Sequence, residues 1–151
     1  MKLSELLPEN LITAGLTGKT KFQLIEELLD LLNQSGKISD RELALKDVLD
    51  REGYLSTGLE NGLAIPHAKT DGVAELVMSF GINKEGVDFE SLDNKPAHLI
   101  FLVLSPRDTS GPHIRALAAI TKNLKDTEKR HALMNAKSAE DIKKIFAKFE
   151  S

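Results

Sequence analysis

An uninterrupted apolar segment in the second half of the chain is the feature that most constrains its fold. The segment reads Leu99-Ile100-Phe101-Leu102-Val103-Leu104 and is bounded by Pro96 and Pro106. It is too short for an ordinary helix, and its continuous apolar character is typical of a central strand that is buried on both faces. A sheet that contains such a strand needs helices on both sides.

Helical patterns lie on both sides of this strand in the sequence. Thr20-Lys21-Phe22-Gln23 resembles a capping box, apolar residues follow it at helical spacing up to Leu32, and Gly36 is expected to end the helix. A second capping box, Ser39-Asp40-Arg41-Glu42, predicts a helix that ends at Gly53. Three further helices are expected to begin at Ser110, Thr127 and Ser138.

The remaining segments predict a second strand and several turns. Residues 76–82 are predicted to form the strand, and residues 83–86 and 92–95 are predicted to form turns that allow some antiparallel pairing. Residues 53–72 form a long turn-rich segment. Together these patterns predict an α/β fold in which a single mixed β-sheet is sandwiched by α-helices, with residues 1–151 as one domain.

Composition excludes several classes of function. The net charge of −3 argues against a nucleic-acid-binding protein, and the absence of cysteine excludes disulfides and thiolate metal sites. No apolar run approaches the ~20 residues that would span a bilayer. The N-terminus has no long apolar region of the kind that directs export, so a cytoplasmic location without membrane insertion is expected.

Two histidines are the candidate reactive groups. His67 follows a glycine-rich turn and the segment Leu63-Ala64-Ile65-Pro66, and His113 lies close to the predicted helix start at Ser110. Because the unperturbed imidazole pKa is about 6.5, a large share of such side chains is neutral and nucleophilic at cellular pH. The placement of the two histidines indicates phosphoryl chemistry.

Two other classes of site fit the sequence poorly. A zinc hydrolase built on His67 and His113 would need a third ligand and a short spacing such as His-Glu-x-x-His, which the sequence lacks. The glycine-rich turn lacks the Gly-Lys-Ser/Thr of a nucleotide-binding loop. No metal ion or cofactor is therefore expected. His98 and His131 are expected to have structural or solvent-exposed roles.

The sequence around the two histidines resembles the enzyme IIA domain of the fructose/mannitol class of the bacterial phosphoenolpyruvate:sugar phosphotransferase system. The resemblance covers nearly the whole chain. It rests on Gly62-Leu63-Ala64-Ile65-Pro66-His67-Ala68, the preceding Arg51-Glu52 and Ser56-Thr57-Gly58, the later His113-Ile114-Arg115-Ala116-Leu117, and the strand from Pro96 to Leu104.

This resemblance implies that His67 accepts a phosphoryl group from the phosphocarrier HPr and passes it to an enzyme IIB partner. His113, in the first turn of its helix, would then donate a hydrogen bond to a phosphoryl oxygen, and the planar guanidinium of Arg51 would bind the same group. The expected phosphate-binding residues are Ser56, Thr57, Gly58, Asn61 and Gly62. An apolar docking face around His67 is expected to include Leu59, Leu63 and Ile65.

Two branches of the family share this motif. One branch transports sugars and is functionally associated with a membrane permease, and the other is the nitrogen-regulatory enzyme IIA, which signals through phosphorylation-dependent binding of another protein. A third possibility, a binding module without phosphotransfer, is disfavoured by the intact His67.

Overall fold

The central strand pairs on both sides within a mixed sheet. The structure, a computed structural model, describes residues 1–150, which contain β1 (Ile12–Thr13), β2 (Leu63–Ala64), β3 (His67–Lys69), β4 (Val77–Val87) and β5 (Ala97–Ser105). The order is β1-β4-β5-β2, and β3 also pairs with β5. β4 and β5 are antiparallel, and the other pairs are parallel. The predicted mixed sheet is confirmed.

Helices cover both faces of this sheet, as predicted. They are α1 (Leu3–Leu6), α2 (Lys21–Gln34), α3 (Arg41–Tyr54), α4 (Gly111–Leu124), α5 (Thr127–Met134) and α6 (Ala139–Phe149). Side chains of β5 alternate between two cores. Ile100, Leu102 and Leu104 pack with α2 and α3, whereas Leu99, Phe101 and Val103 pack with α4, α5 and α6. This alternation explains why every position of the strand is apolar.

The helix starts agree with the sequence in part. The Thr20 hydroxyl accepts from the Gln23 amide at 3.2 Å, and the Ser138 hydroxyl accepts from the Asp141 amide at 3.1 Å. Asp40, not Ser39, caps α3, because the Ser39 hydroxyl donates to the Gly72 carbonyl at 3.0 Å. Asp126 caps α5 one residue before the predicted start. Ser110 precedes α4 but makes no capping hydrogen bond with its side chain.

The turn predicted at residues 83–86 is wrong, because β4 continues through it to Val87. The register with β5 shifts between Ile82 and Val87, and Gly86 adopts a φ of +87° at this irregularity. The Asn83 side chain accepts from the Gly86 amide at 2.8 Å, so a turn-like bond occurs within the irregular strand. The predicted turn at residues 92–95 is confirmed in its first half.

The turn-rich segment 53–72 contains two short strands that the sequence did not predict. β2 and β3 lie end to end along one edge of β5, with Leu63 opposite Leu99 and His67 opposite Val103. Ile65 and Pro66 separate them, and the Pro66 carbonyl accepts from the Val103 amide at 3.1 Å. This pairing fixes the backbone at His67. Within residues 1–150, no helix is both long and apolar enough to cross a membrane.

Candidate functional site

His67 is the first residue of β3, and its ring is held by a backbone carbonyl. Its Nδ1 lies 2.7 Å from the carbonyl oxygen of Ile65. A carbonyl oxygen only accepts hydrogen bonds, so Nδ1 carries the proton and Nε2 keeps its lone pair. Among residues 1–150, no hydrogen bond engages Nε2. His67 therefore has an oriented imidazole with one free nucleophilic nitrogen.

The surroundings of His67 favour its neutral form. The ring is partly buried, and this loss of solvent is the main cause that lowers the pKa of His67. The positive charge of Arg51 acts in the same direction. The hydrogen bond to Ile65 and the charge of Glu52 oppose this shift without cancelling it. The imidazole is thus available as a nucleophile at neutral pH.

The ring of His113 lies beside that of His67. His113 lies in the first turn of α4, and its ring centroid is 5.6 Å from that of His67. The side chain is nearly buried, and its Nδ1 is 2.5 Å from the Ser105 hydroxyl oxygen at the end of β5. Burial, followed by the charges of His67 and Lys69, lowers the pKa of His113 to about 4. His113 is therefore neutral in the physiological range.

A depression of about 440 Å³ opens beside the two rings. Three cations line it, Arg51 in the last turn of α3, Lys69 and Arg107, together with the carboxylates of Asp47 and Asp50. The Arg51 guanidinium donates to the Leu55 carbonyl at 2.7 Å, which orients it at the end of the helix. Arg107 forms ion pairs with Asp47 at 3.1 Å and Asp71 at 3.7 Å. The arrangement suits a small anion next to His67.

Ser56, Thr57 and Gly58 border a second, more apolar cleft of about 400 Å³ that His67 and Arg51 also line. Both hydroxyls are already engaged as donors. The Ser56 hydroxyl donates to the Phe89 carbonyl, and the Thr57 hydroxyl donates to the carboxylate of Glu52. The structure therefore uses both side chains to hold the loop beside His67.

Asn61 and Gly62 lie in the turn before β2 and line neither of the two openings that His67 borders. Their φ values are +61° and +78°, a conformation in which asparagine and glycine are the residues of choice. The Asn61 backbone N–H donates to the Asp93 carboxylate at 3.0 Å, and the Gly62 carbonyl accepts from the backbone N–H groups of His98 and Leu99. The structure gives both residues a role in the turn.

Glu52 forms part of the motif that carries the family resemblance, but the sequence predicted no role for it in the site. Its carboxylate is almost fully buried, accepts from the Thr57 amide at 2.9 Å, and pairs with Lys21 at 3.4 Å. Lys21 also pairs with Glu90 at 2.8 Å. Burial alone would lower the pKa of Lys21, but the two carboxylates outweigh it and raise that pKa. One sequence signal was present: Glu52 follows Ala44 and Val48 at the spacing of a buried helix face.

The apolar surface near His67 agrees with the prediction in part. Leu63 and Ile65 are both buried in the core, but Ile65 lines the second cleft and Leu63 does not. Leu55 and Leu92 line the same cleft and are 67% and 72% exposed. Leu59, which was predicted, also lines this cleft.

Comparison with known proteins gives a consistent picture. A family model described as "Phosphoenolpyruvate-dependent sugar phosphotransferase system, EIIA 2" matches residues 5–149. The chain is 37% identical over 145 residues to a fructose-specific EIIA component of Haloferax volcanii, with 96% of this chain and 94% of that protein covered. It is 39% identical over 142 residues to a fructose-specific EIIABC component of Bacillus subtilis. That match covers 94% of this chain but only 22% of the longer protein.

Solved structures show the same fold. The nitrogen regulatory protein IIA-Ntr of Neisseria meningitidis matches with a TM-score of 0.82 and 31% identity, covering 95% of this chain and 98% of that one. Enzyme IIA of the mannitol system from Escherichia coli, solved in complex with phosphorylated enzyme IIB, matches with a TM-score of 0.81 and 23% identity. That match covers 95% of this chain and 99% of its counterpart.

Proposed function

The chain belongs to the EIIA 2 family of the phosphoenolpyruvate-dependent sugar phosphotransferase system, and from this premise we propose that Nε2 of His67 carries the phosphoryl group. The observation that supports this assignment most directly is the 2.7 Å contact between Nδ1 of His67 and the Ile65 carbonyl. It leaves Nε2 as the nucleophile, next to a depression that can receive an anion.

The transfer step needs no change in the protonation of His67. The Nε2 lone pair forms a bond to phosphorus while the bond between phosphorus and the donor breaks, and that electron pair leaves with the donor. The proton stays on Nδ1, and the Ile65 carbonyl oxygen that accepts it stabilises part of the positive charge that develops on the ring. The same step in reverse order delivers the group from Nε2 to the acceptor.

Arg51 and His113 are the residues we assign to the phosphoryl oxygens. Both line the depression beside His67, and each is fixed by a hydrogen bond to another part of the chain. The guanidinium supplies a charged fork, and the neutral imidazole supplies a single donor. A site with a neutral donor stabilises the group without binding it so tightly that onward transfer stops. Ser56, Thr57 and Gly58 shape the loop at the edge of the site.

We assign the donor role to HPr and the acceptor role to an enzyme IIB component, in the cytoplasm. The mannitol relative forms a complex with phosphorylated enzyme IIB, which supports the second assignment. The cleft lined by Leu55, Leu59 and Leu92 adjoins His67 and offers an apolar surface for both partners in turn.

Sugar transport of the fructose class is the function that the comparisons favour. Two fructose-specific relatives are 37% and 39% identical over nearly the whole chain. A nitrogen-regulatory role is the second candidate, because the IIA-Ntr structure shares 31% identity and the fold. Transfer of the phosphoryl group to a fructose-class enzyme IIB would support transport, whereas binding of another protein by only one phosphorylation state would support regulation.

Replacing the exposed leucines tests the docking surface. We expect Leu92→Ser and Leu55→Ser to raise the KM for phosphorylated HPr with little change in kcat, because both side chains are exposed beside the reacting histidine and neither touches the phosphoryl group. Phe22→Ser is a suitable control, since Phe22 is 46% exposed and lines neither cleft bordered by His67. Unchanged kinetics in both leucine variants would place the docking surface elsewhere.

A further inference from the structure

The Ser105 hydroxyl has one hydrogen-bond partner, which is the Nδ1 atom of His113. Ser105 is the last residue of β5 and is fully buried. Its backbone is fixed by the sheet, because it is paired with Lys69 of β3 and its carbonyl accepts from the Thr70 amide at 2.8 Å. The distance between its hydroxyl oxygen and His113 Nδ1 is 2.5 Å. Among residues 1–150, no second partner for this hydroxyl is found.

This contact determines which nitrogen of His113 carries the proton. If Nδ1 were protonated, it would donate to the Ser105 oxygen, and the buried Ser105 hydroxyl proton would have no acceptor. A buried polar group without a partner costs about 1–3 kcal/mol. If the Ser105 hydroxyl donates to Nδ1 instead, both the hydroxyl proton and the Nδ1 lone pair have a partner. Because His113 is neutral, its single ring proton then resides on Nε2.

The protonated Nε2 is the free end of the ring. Within the described part of the chain, it makes no hydrogen bond and is not among the fully enclosed polar atoms. His113 lines the same depression as His67, and their ring centroids are 5.6 Å apart. The two imidazole rings are therefore in opposite tautomeric forms. His67 offers a lone pair at Nε2, and His113 offers a proton at Nε2.

We propose that Ser105 is a positioning residue that holds His113 in the Nε2–H form, so that this imidazole donates to the phosphoryl group on His67. The inference rests on the proposed function of His67. A lone pair at the same position would face the negatively charged phosphoryl oxygens and repel them, so the tautomer decides whether His113 assists or opposes transfer.

A hydroxyl suits this position better than a carboxylate. A carboxylate next to Nδ1 would favour the charged imidazolium, which would place a full positive charge beside the phosphoryl group and bind it more tightly. A carrier must release its cargo, and tighter binding of the intermediate than of the transition state slows release. The neutral pair of Ser105 and His113 orients a hydrogen-bond donor toward the phosphoryl group without adding that charge.

The test compares Ser105→Thr with Ser105→Val. The two replacements have nearly the same shape and suit a buried strand, but only threonine keeps a hydroxyl. We expect Ser105→Thr to transfer its phosphoryl group to enzyme IIB near the wild-type rate, and Ser105→Val to be slower by roughly tenfold, the size expected for loss of one charge-directed hydrogen bond. Both variants should still be labelled at His67.

Two further measurements separate positioning from a structural effect. Long-range proton–nitrogen NMR of the unphosphorylated wild-type protein should show the His113 proton on Nε2, and Ser105→Val should shift that ring toward the other tautomer. In a His113→Ala background, Ser105→Val should cause no additional slowing, because the residue through which Ser105 acts is gone.

A proton on Nδ1 of wild-type His113, or equal transfer rates for the threonine and valine variants, would overturn the role of Ser105. Equal slowing by Ser105→Val with and without His113 would also overturn it. Absence of label on His67 in the wild-type chain would instead overturn the proposed function, and the NMR result would still decide how Ser105 acts on His113.

Discussion

At the scale of single residues, burial keeps both site histidines neutral before any phosphoryl group arrives. It is the main cause that lowers the pKa of His67 and the pKa of His113. The phosphoryl group that we propose for His67 would reverse part of this balance, because its negative charge favours the imidazolium form of a neighbouring histidine. The pKa of His113 is therefore expected to rise when His67 is phosphorylated.

The pH dependence of stability provides a test at this scale. The pKa of His113 falls from its ordinary 6.5 to about 4 on folding. Between these values the unfolded chain binds more protons than the folded one, so the free energy of unfolding should fall as the pH drops from 6.5 to 4. The contribution of His113 is at most roughly 3 kcal/mol.

Urea denaturation from pH 7.5 to pH 4 would measure this effect. In His113→Gln the titrating group is removed, so we expect a smaller loss of stability over the same range than in the wild-type chain. Groups that do not interact with His113 contribute equally to both proteins and cancel in the difference. Parallel stability profiles for the two proteins would contradict the lowered pKa.

At the scale of structural elements, Glu52 joins three parts of the chain. It belongs to α3, binds the Thr57 amide in the loop beside His67, and pairs with Lys21 at the start of α2. Removing Glu52 would leave the buried Lys21 ammonium with Glu90, a largely exposed carboxylate, as its remaining counter-charge. Glu52 therefore links the stability of the two helices to the position of the loop.

We expect Glu52→Ala to lower the free energy of unfolding by about 3 kcal/mol, since the Thr57 amide and the Lys21 ammonium would each lose a buried acceptor. Lys144→Ala is a control that breaks an exposed pair with Glu140, and its effect should stay below about 1 kcal/mol. Denaturant unfolding measures both. A change at Glu52 no larger than that at Lys144 would show that the buried network adds little.

Two glycines in the same region should respond in opposite ways to alanine. A Cβ at Gly53, in α3, would have open space, so Gly53→Ala should stabilise the protein by about 0.5–1 kcal/mol. A Cβ at Gly58 would lie 2.5 Å from the Ser91 hydroxyl and 2.9 Å from the Phe89 carbonyl, so Gly58→Ala should destabilise it by about 1–3 kcal/mol. Thermal unfolding of both variants checks the sign of each change. An equal response would mean that the loop can move away from Ser91.

At the scale of the whole molecule, the sequence predicted the layers better than the connections. The apolar run of β5 and the amphipathic helices specified a sheet covered on both faces, because burial on two sides leaves a pattern that is visible in a single segment. The strands β1, β2 and β3 were missed because they are only two or three residues long and depend on pairing with β4 or β5. Local sequence carries little information about such pairing.

The same contrast holds for the candidate site. The motif around His67 and the predicted helix start near His113 identified both histidines as candidate site residues. The structure places their rings 5.6 Å apart. The contributions of Ser105 and Glu52 depend on contacts between residues that are distant in sequence or face the core. Asn61 and Gly62 belong to the same motif, but their positive φ angles give them a role in the turn.

Locating the phosphoryl group is the most direct test of the central claim. Protein labelled with ¹⁵N-histidine would be incubated with phosphoenolpyruvate, enzyme I and HPr, then examined by mass spectrometry and by NMR of the imidazole nitrogens. We predict one phosphoryl group on Nε2 of His67, with the Nδ1 proton retained, and no label in His67→Ala that remains folded. A phosphoryl group on Nδ1 of His67 or on His113, or label retained in His67→Ala, would contradict the account.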